Sequence, residues 1–308
     1  MNVPENIKEY IGDVSVGDLI LCLTGSLLLG CWLLRTSLGT RALDNSAARR
    51  NNMPLFLPFL LLFVSYFSVA LGGLIATWLV GDLQGSQGVV LDNLVICITG
   101  LASIVIIIVT VRPFFVRRLK GFGLNFRTIY KDLPAAFLNL LTIWPLITLA
   151  LVATIYLGQL FYGRDYKMPV HQGLETITEN PQLPPRIMVT IAAVLVIPVL
   201  EELLFRGLFQ TMIRSLIFNR RARSDRSETI ISSANPAVSA VNSSAGWPAI
   251  AISSALFIMM HADVPHWPAL YVLGVGMGYA YEKSGSLFRP IFIHVLFNAI
   301  SVISVWVQ

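Results

Sequence analysis

Residues 187–213 read IMVTIAAVLVIPVLEELLFRGLFQTMI, an apolar run that carries three charged side chains. The run is long enough to cross a bilayer, since a spanning helix needs about 20 apolar residues. A charge at membrane depth costs about 2.5–3.5 kcal/mol on the insertion scale, so Glu201, Glu202 and Arg206 need a reason to lie there. Ionisable residues inside a membrane are usually functional, which favours a site here over a purely structural ion-pair cluster.

The composition is that of an integral membrane protein. Of the 308 residues, 55% are hydrophobic and 13% are charged, and the mean hydropathy is +0.71. A soluble domain carries about 25% charged residues. We therefore predict an all-α polytopic membrane protein with about eight transmembrane helices, the last of which form a catalytic core. The predicted spans lie near 19–34, 54–80, 89–111, 134–162, 187–213, 248–261, 268–282 and 290–307.

The basic residues alternate between the two sides of this topology. Segments 35–52, 112–133, 214–247 and 283–289 hold 4, 6, 5 and 2 Lys and Arg, whereas the opposite loops hold only Lys8, Arg164, Lys167 and Arg186. The positive-inside rule places the basic segments in the cytoplasm and both termini outside. The net charge of +5 thus reflects the membrane and predicts no nucleic-acid partner. The residues before the first span are net negative, so we interpret that span as a retained anchor rather than a signal peptide. We expect a multi-pass protein of the plasma membrane.

Helical spacing groups the polar residues of the later spans. Glu202 and Arg206 are four apart, so they share a face and can pair. Glu201 is rotated from Glu202 by about 100° around the helix and faces elsewhere. The pairs Phe257/His261 and His294/Asn298 have the same spacing of four residues. Pro198 removes a backbone hydrogen bond just before the carboxylates and is expected to loosen the helix there.

One carboxylate, two histidines and an amide held in lipid suit a hydrolysis reaction. A desolvated glutamate has a raised pKa and can act as a general base towards water. A neutral imidazole can hold the same water or bind a metal. An Asn and a second His can donate hydrogen bonds to the oxyanion of a tetrahedral intermediate.

Each residue also has a simpler interpretation. His261 alone could cap a helix end, His294 and Asn298 could be hydrogen-bonding contacts between helices, and Phe257 could be ordinary core packing. His171 lies in a surface loop and is interpreted as solvated. His266 lies in the loop 262–267, where interfacial His and Trp are common. The cysteines have no metal-ligand spacing.

The ordered motifs Glu201-Glu202-x-x-x-Arg206, Phe257-x-x-x-His261 and His294-x-x-x-Asn298 resemble those of the CPBP family. This family comprises CAAX proteases and bacteriocin-processing enzymes and is also called Abi. The resemblance covers roughly 130–308, so we divide the chain into N-terminal helices of unknown role, 1–130, and a CPBP-like core, 131–308. It implies an intramembrane endopeptidase that acts on a membrane-associated protein or peptide within the lipid bilayer.

The resemblance also implies roles for the motif residues. Glu201 would activate the hydrolytic water with His261, Glu202 and Arg206 would support the site, and His294 and Asn298 would line the oxyanion side. The family label favours a metalloprotease, in which Glu201, His261 and His294 would ligate Zn²⁺. A metal-free glutamate mechanism is the alternative, since the sequence contains no H-E-x-x-H pair.

Two other functions use the same intramembrane charges. A transporter would employ them as a relay or substrate clamp, although we find no inverted repeat of the kind common in transporters. A non-catalytic scaffold or immunity protein would keep only the fold, although every motif position is filled here.

Depth is the unresolved feature of this topology. Eight straight spans would place His261 at the outer side, His294 at the inner side and Glu201 near the middle. We therefore expect a misplaced, tilted or broken span near Pro290, 248–261 or 268–282, and a cavity that opens towards the cytoplasm.

Overall fold

The fold is all-α. The computed structural model describes residues 16–44, 46, 49–217 and 246–307. Within these residues all regular secondary structure is helical. In chain order the longer helices are α1 (Val16–Arg35), α2 (Leu57–Val80), α3 (Gly85–Val111), α4 (Ile129–Tyr162), α5 (Gln172–Glu179), α6 (Leu183–Ile217), α7 (Gly246–Met259), α8 (Trp267–Ser284) and α9 (Phe288–Trp306). Short helical turns span Arg112–Phe114, Leu119–Phe122, Phe126–Thr128 and Val264–His266.

The helices are those of an integral membrane protein. Each predicted span coincides with a helix, and α5 is an additional short helix between α4 and α6. Within the described residues, 5 helices are long and apolar enough to cross a membrane: Leu57–Val80, Gly85–Phe114, Phe126–Tyr162, Leu183–Ile217 and Phe288–Trp306. Large apolar side chains on α2 are exposed, such as Leu74 at 70% and Trp78 at 83%, as expected of a surface that faces lipid. The count of eight spans stays a prediction.

Helix α6 departs from regular α geometry on both sides of the carboxylates. It is α-helical over Leu183–Ile191 and Ile197–Glu202, and π-helical over Ala192–Val196 and Leu203–Gln210. Pro198 has no N–H and its ring crowds the preceding turn, which favours a widened turn just before it. This is the loosening that the sequence predicts. Widened π turns are frequent at functional sites.

Close helix packing surrounds the site. Helix α4 packs against α1, α8 and α9, and α6 packs against α3, α7 and α9. Gly207 of α6 permits one such approach, because a Cβ at this position would lie 2.4 Å from the ring of Phe122. The main buried cluster combines Met53 and Leu57 with Leu203 and Phe205. The division of the chain near residue 130 stays a prediction.

Candidate active site

Glu202 and Arg206 form the ion pair that their spacing predicts. Arg206 Nη1 lies 2.8 Å from Glu202 Oε1, and both side chains are 0% exposed. The second guanidinium nitrogen donates to the carbonyl of Gly274 at 3.1 Å, and the guanidinium carbon lies 4.6 Å from the ring centre of Phe257. A buried charge is tolerated when it is paired and hydrogen-bonded, and Arg206 meets both conditions.

His294 connects the two adjacent carboxylates. Its Nδ1 lies 3.0 Å from Glu202 Oε1 and its Nε2 lies 3.7 Å from Glu201 Oε2. Glu202 Oε1 already accepts from Arg206. With the same oxygen as acceptor, Nδ1 carries the proton and Nε2 presents a lone pair in the neutral ring. Arg206, Glu202 and His294 thus form a hydrogen-bonded row, and Glu201 lies beyond its end, beside the cavity and without a direct hydrogen bond to His294.

His261 and Asn298 are both held by backbone carbonyls. Nδ1 of His261 lies 3.0 Å from the carbonyl oxygen of Phe257, which can only accept, so this nitrogen carries the proton in the neutral ring. The amide nitrogen of Asn298 donates to the carbonyl of Ala193 at 2.8 Å. Ala193 lies inside the first π turn of α6. The irregular backbone of α6 therefore provides the contact that orients Asn298.

Phe257 is more than ordinary core packing. Its ring is 0% exposed and its centre lies 4.7 Å from the ring of His261 and 5.7 Å from that of His294. The guanidinium of Arg206 lies over the same ring. One aromatic side chain thus packs against three motif residues. Its contact with His261 agrees with the spacing of four residues, whereas the contacts with Arg206 and His294 were not predicted.

These residues line one cavity of about 290 Å³. Its lining includes Glu201 and Asn298 together with His171, His261, His266 and His294, which are all 4 histidines of the chain. His171 thus lines the cavity while its side chain remains 41% exposed, and His266 lies closer to the site than expected. No local pattern in the sequence marks either residue, because only the fold brings their loops to the cavity.

The depth conflict disappears because α7 is short. Its 14 residues extend about 21 Å at 1.5 Å per residue, less than the roughly 30 Å of a bilayer core. His261 follows the end of α7 and His294 lies in the second turn of α9. Both therefore reach the cavity beside Glu201. Helix α7 has the same length of 14 residues as the predicted span 248–261 but begins and ends two residues earlier, so His261 follows its end.

The mouth of the cavity carries a second polar group. His171 Nε2 lies 3.9 Å from Asp263 Oδ2, and the rings of His171 and His266 are 5.8 Å apart. Asp263 also accepts from the backbone N–H of Gln172 at 3.2 Å. Burial lowers the pKa of His171, and the nearby Asp263 carboxylate opposes this shift only in part. The imidazole of His171 is thus biased towards its neutral form.

The side chains do not form a recognisable metal centre. Within the described ranges, no group of three or more His, Cys, Asp or Glu could hold a metal ion. Nδ1 of both His261 and His294 is engaged by protein oxygens. Such bonds are usual for metal-binding histidines and leave Nε2 as the ligand. Only the spacing of the described side chains therefore speaks against the predicted three-ligand zinc set of Glu201, His261 and His294. Metal dependence stays a prediction.

A polar row on α6 continues from the site towards the opposite end of the helix. It consists of Glu202, Arg206, Gln210 and Arg214, spaced four apart and at most 3% exposed. Gln210 donates to the carbonyl of Gly278 at 3.0 Å and to Glu282 at 3.1 Å, and Arg214 pairs with Glu282. The sequence analysis missed the last two members, although the repeat of four residues could have revealed them.

The cavity opens at the end opposite to the one we expected. Its described lining includes His171, Gly173, Leu174 and His266 from the loops predicted to lie outside. None of its described lining residues comes from the basic segments predicted to be cytoplasmic. In the predicted topology this end faces outside, whereas we expected a cavity that opens towards the cytoplasm. The side of the membrane on which each end lies stays a prediction.

Comparison with known proteins agrees with the motif resemblance. A family model described as "Type II CAAX prenyl endopeptidase Rce1-like" matches residues 183–300. The matched segment contains every motif residue from Glu201 to Asn298 and lies within the CPBP family. Neither the curated proteins nor the solved structures gave a match. The match supports a hydrolase of the CAAX protease class.

Proposed function

Because residues 183–300 belong to the Rce1-like family of CAAX prenyl endopeptidases, we propose that this protein is an intramembrane endopeptidase in which Glu201 activates the attacking water. Its substrate would be a peptide bond in a membrane-associated protein or peptide. The contact that carries the proposal is the approach of His294 Nε2 to Glu201 Oε2 at 3.7 Å, beside a cavity open to water-sized molecules.

The cavity meets the first requirement of hydrolysis, which is room for water next to the base. Its volume of about 290 Å³ far exceeds the roughly 10–15 Å³ that one water needs. Glu201 is 15% exposed, whereas Glu202 is 0% exposed. Of the two adjacent carboxylates, Glu201 is therefore the one that a water in the cavity can reach, and it is the general base in this proposal.

The neighbouring residues have roles that follow from their hydrogen bonds. Glu202 and Arg206 are positioning residues, because Glu202 holds Nδ1 of His294 and Arg206 pairs with Glu202. Nε2 of His294 can then accept a proton from the Glu201–water pair and return it to the leaving amine.

Two further side chains face the substrate carbonyl in this proposal. Asn298 uses one amide hydrogen on Ala193, which leaves its second hydrogen for a developing oxyanion. His261, fixed through its Nδ1, presents Nε2 to the water or the substrate. The step then balances: water adds to the carbonyl carbon, its proton moves through Glu201 or His294 to the amine nitrogen, and the C–N bond breaks.

The proposal is tested by mapping peptide termini in membranes of cells that express the wild-type chain, Glu201→Gln or Glu179→Gln. Glu179 is exposed at the end of α5 and does not line the cavity, so its variant controls for loss of one carboxylate. We expect one or more termini to vanish with Glu201→Gln and to persist with Glu179→Gln. Identical termini in all three, at equal protein levels, would contradict the proposal and favour a transporter or scaffold.

A further inference from the structure

The basic segments meet at one end of the helix bundle. The backbone N–H of Asn52 donates to Phe114 at 3.0 Å, and that of Leu287 donates to Gly123 at 2.9 Å. The Lys283 ammonium donates to the carbonyl of Asp44 at 2.9 Å. These contacts join the described parts of 35–52, 112–133 and 283–289, and we call the region they form the basic end.

The loops of low positive charge meet at the other end. His266 Nε2 lies 3.0 Å from the carbonyl oxygen of Pro169, and Asp263 accepts from the N–H of Gln172. The segment between α4 and α6 therefore contacts the segment between α7 and α8. Together these two segments hold only Arg164 and Lys167 up to the start of α6. We call this region the low-charge end.

Exposure along the cavity increases towards the low-charge end. The side chain of His294 is 4% exposed and that of Glu201 is 15% exposed. At the mouth, Asp263 is 24% exposed and His171 is 41% exposed. Solvent therefore reaches the carboxylate along the path that the loops of the low-charge end surround.

The opposite path is filled by protein. Between the cavity and the basic end lies the polar row of α6, in which Arg206 and Gln210 are 0% exposed and Arg214 is 3% exposed. Arg206 and Gln210 bond to carbonyls of α8. Arg214 pairs with Glu282 of α8 and also donates to the carbonyl of Ser46 at 2.8 Å. Such a fully packed stretch leaves no room for a polypeptide to approach Glu201 from the basic end.

We infer that the cavity opens on the extracytoplasmic side, so that the enzyme cleaves a polypeptide segment presented from outside the cytoplasm. The positive-inside rule assigns the basic end to the cytoplasm, and the low-charge end is then extracytoplasmic. The inference rests on the proposed endopeptidase function for its substrate. An exported peptide or the outer flank of a membrane protein fits this geometry, whereas a lipidated tail in the cytoplasm would meet the closed end.

Cysteine labelling tests the orientation independently of activity. Val170 at the low-charge end is 57% exposed and Val116 at the basic end is 75% exposed, which makes them a matched pair. Each is replaced by Cys in a full-length parent whose Cys22, Cys31 and Cys97 are Ser. We expect a membrane-impermeant maleimide to label Val170→Cys in intact spheroplasts and Val116→Cys only after lysis. The reverse pattern, or labelling of Val116→Cys before lysis, overturns the inference.

A second experiment tests the side of cleavage. A single-span anchor with a short randomised peptide tail is expressed with the tail either outside or inside, alongside the wild type or Glu201→Gln. We expect Glu201-dependent cleavage of tails on the outside only. Cleavage of inside tails alone would overturn the inference and leave the proposed function standing. If neither tail is cleaved and no termini depend on Glu201, the proposed function fails, and labelling still decides the orientation.

Discussion

Replacing Arg206 by Met should destabilise the protein because it leaves a buried charge unpaired. Methionine keeps much of the side-chain volume but removes the ion pair to Glu202 at 2.8 Å and the hydrogen bond to Gly274 at 3.1 Å. Removing one partner of a buried pair costs about 3–5 kcal/mol. An orphaned buried carbonyl adds about 1–3 kcal/mol. We expect a loss of at least about 3 kcal/mol for Arg206→Met.

A second substitution shows whether the charge is the cause. In the double variant Glu202→Gln/Arg206→Met both charges are gone, so no buried charge is left unpaired. The double variant should therefore be more stable than Arg206→Met alone. The assay is reversible unfolding in mixed micelles, followed by loss of helical circular dichroism. A wild-type-like Arg206→Met, or a double variant at least as unstable as the single, would refute this reasoning.

Three further predictions follow from individual contacts. Gly207→Ala places a Cβ 2.4 Å from the Phe122 ring and should cost about 1–3 kcal/mol of unfolding free energy. Gly73→Ala, whose Cβ meets nothing within 4 Å, is the control in the same unfolding assay. Equal stability of the two variants would contradict the packing argument. Burial lowers the pKa of His171 below its ordinary 6.5, so near and just below that pH the unfolded chain binds more protons than the folded one. The wild type should therefore lose stability relative to His171→Asn as the pH falls below 6.5. Parallel curves of unfolding free energy against pH for the two proteins would contradict this. Asn298→Ala should lower kcat by about 10²–10³ with little change in KM if its amide binds the oxyanion, whereas a rise in KM alone would assign it to substrate binding.

Much of the fold follows from the sequence because hydropathy and charge act over whole segments. The eight predicted spans coincide with eight of the helices, and the pairing of Glu202 with Arg206 follows from helix periodicity alone. The motif residues also meet as their resemblance implies, since Glu201, His261, His294 and Asn298 line one cavity. Their catalytic roles stay predictions.

Other features depend on helix lengths and on contacts between separate segments, which helix periodicity does not predict. The length of α7 decides the depth of His261, and its boundary shifted by two residues at each end relative to the span 248–261. His171 and His266 reach the cavity only because the two loops of the low-charge end contact each other. Phe257 contacts His261 as their spacing of four residues predicts, whereas its contacts with Arg206 and His294 join separate segments that no local pattern connects.

The direction of the opening depends on the orientation that the basic residues predict. The alternation of basic residues predicts which loops share a side, and the described basic segments do contact one another. The expected opening at that end had no such support. The buried polar row from Glu202 to Arg214 closes it, because side chains four apart on α6 all pack against α8 or its neighbours.

The most direct test of the central claim is the cleavage rate of purified wild type and Glu201→Gln in proteoliposomes, on the peptide identified from its lost termini. Glu179→Gln, with a surface carboxylate removed, is measured beside them. The account predicts that Glu201→Gln stays folded and loses about 10²–10⁴-fold in kcat, the usual contribution of a general base, while Glu179→Gln keeps the wild-type rate. A folded Glu201→Gln that cleaves at the wild-type rate would contradict the assignment of Glu201 as the base.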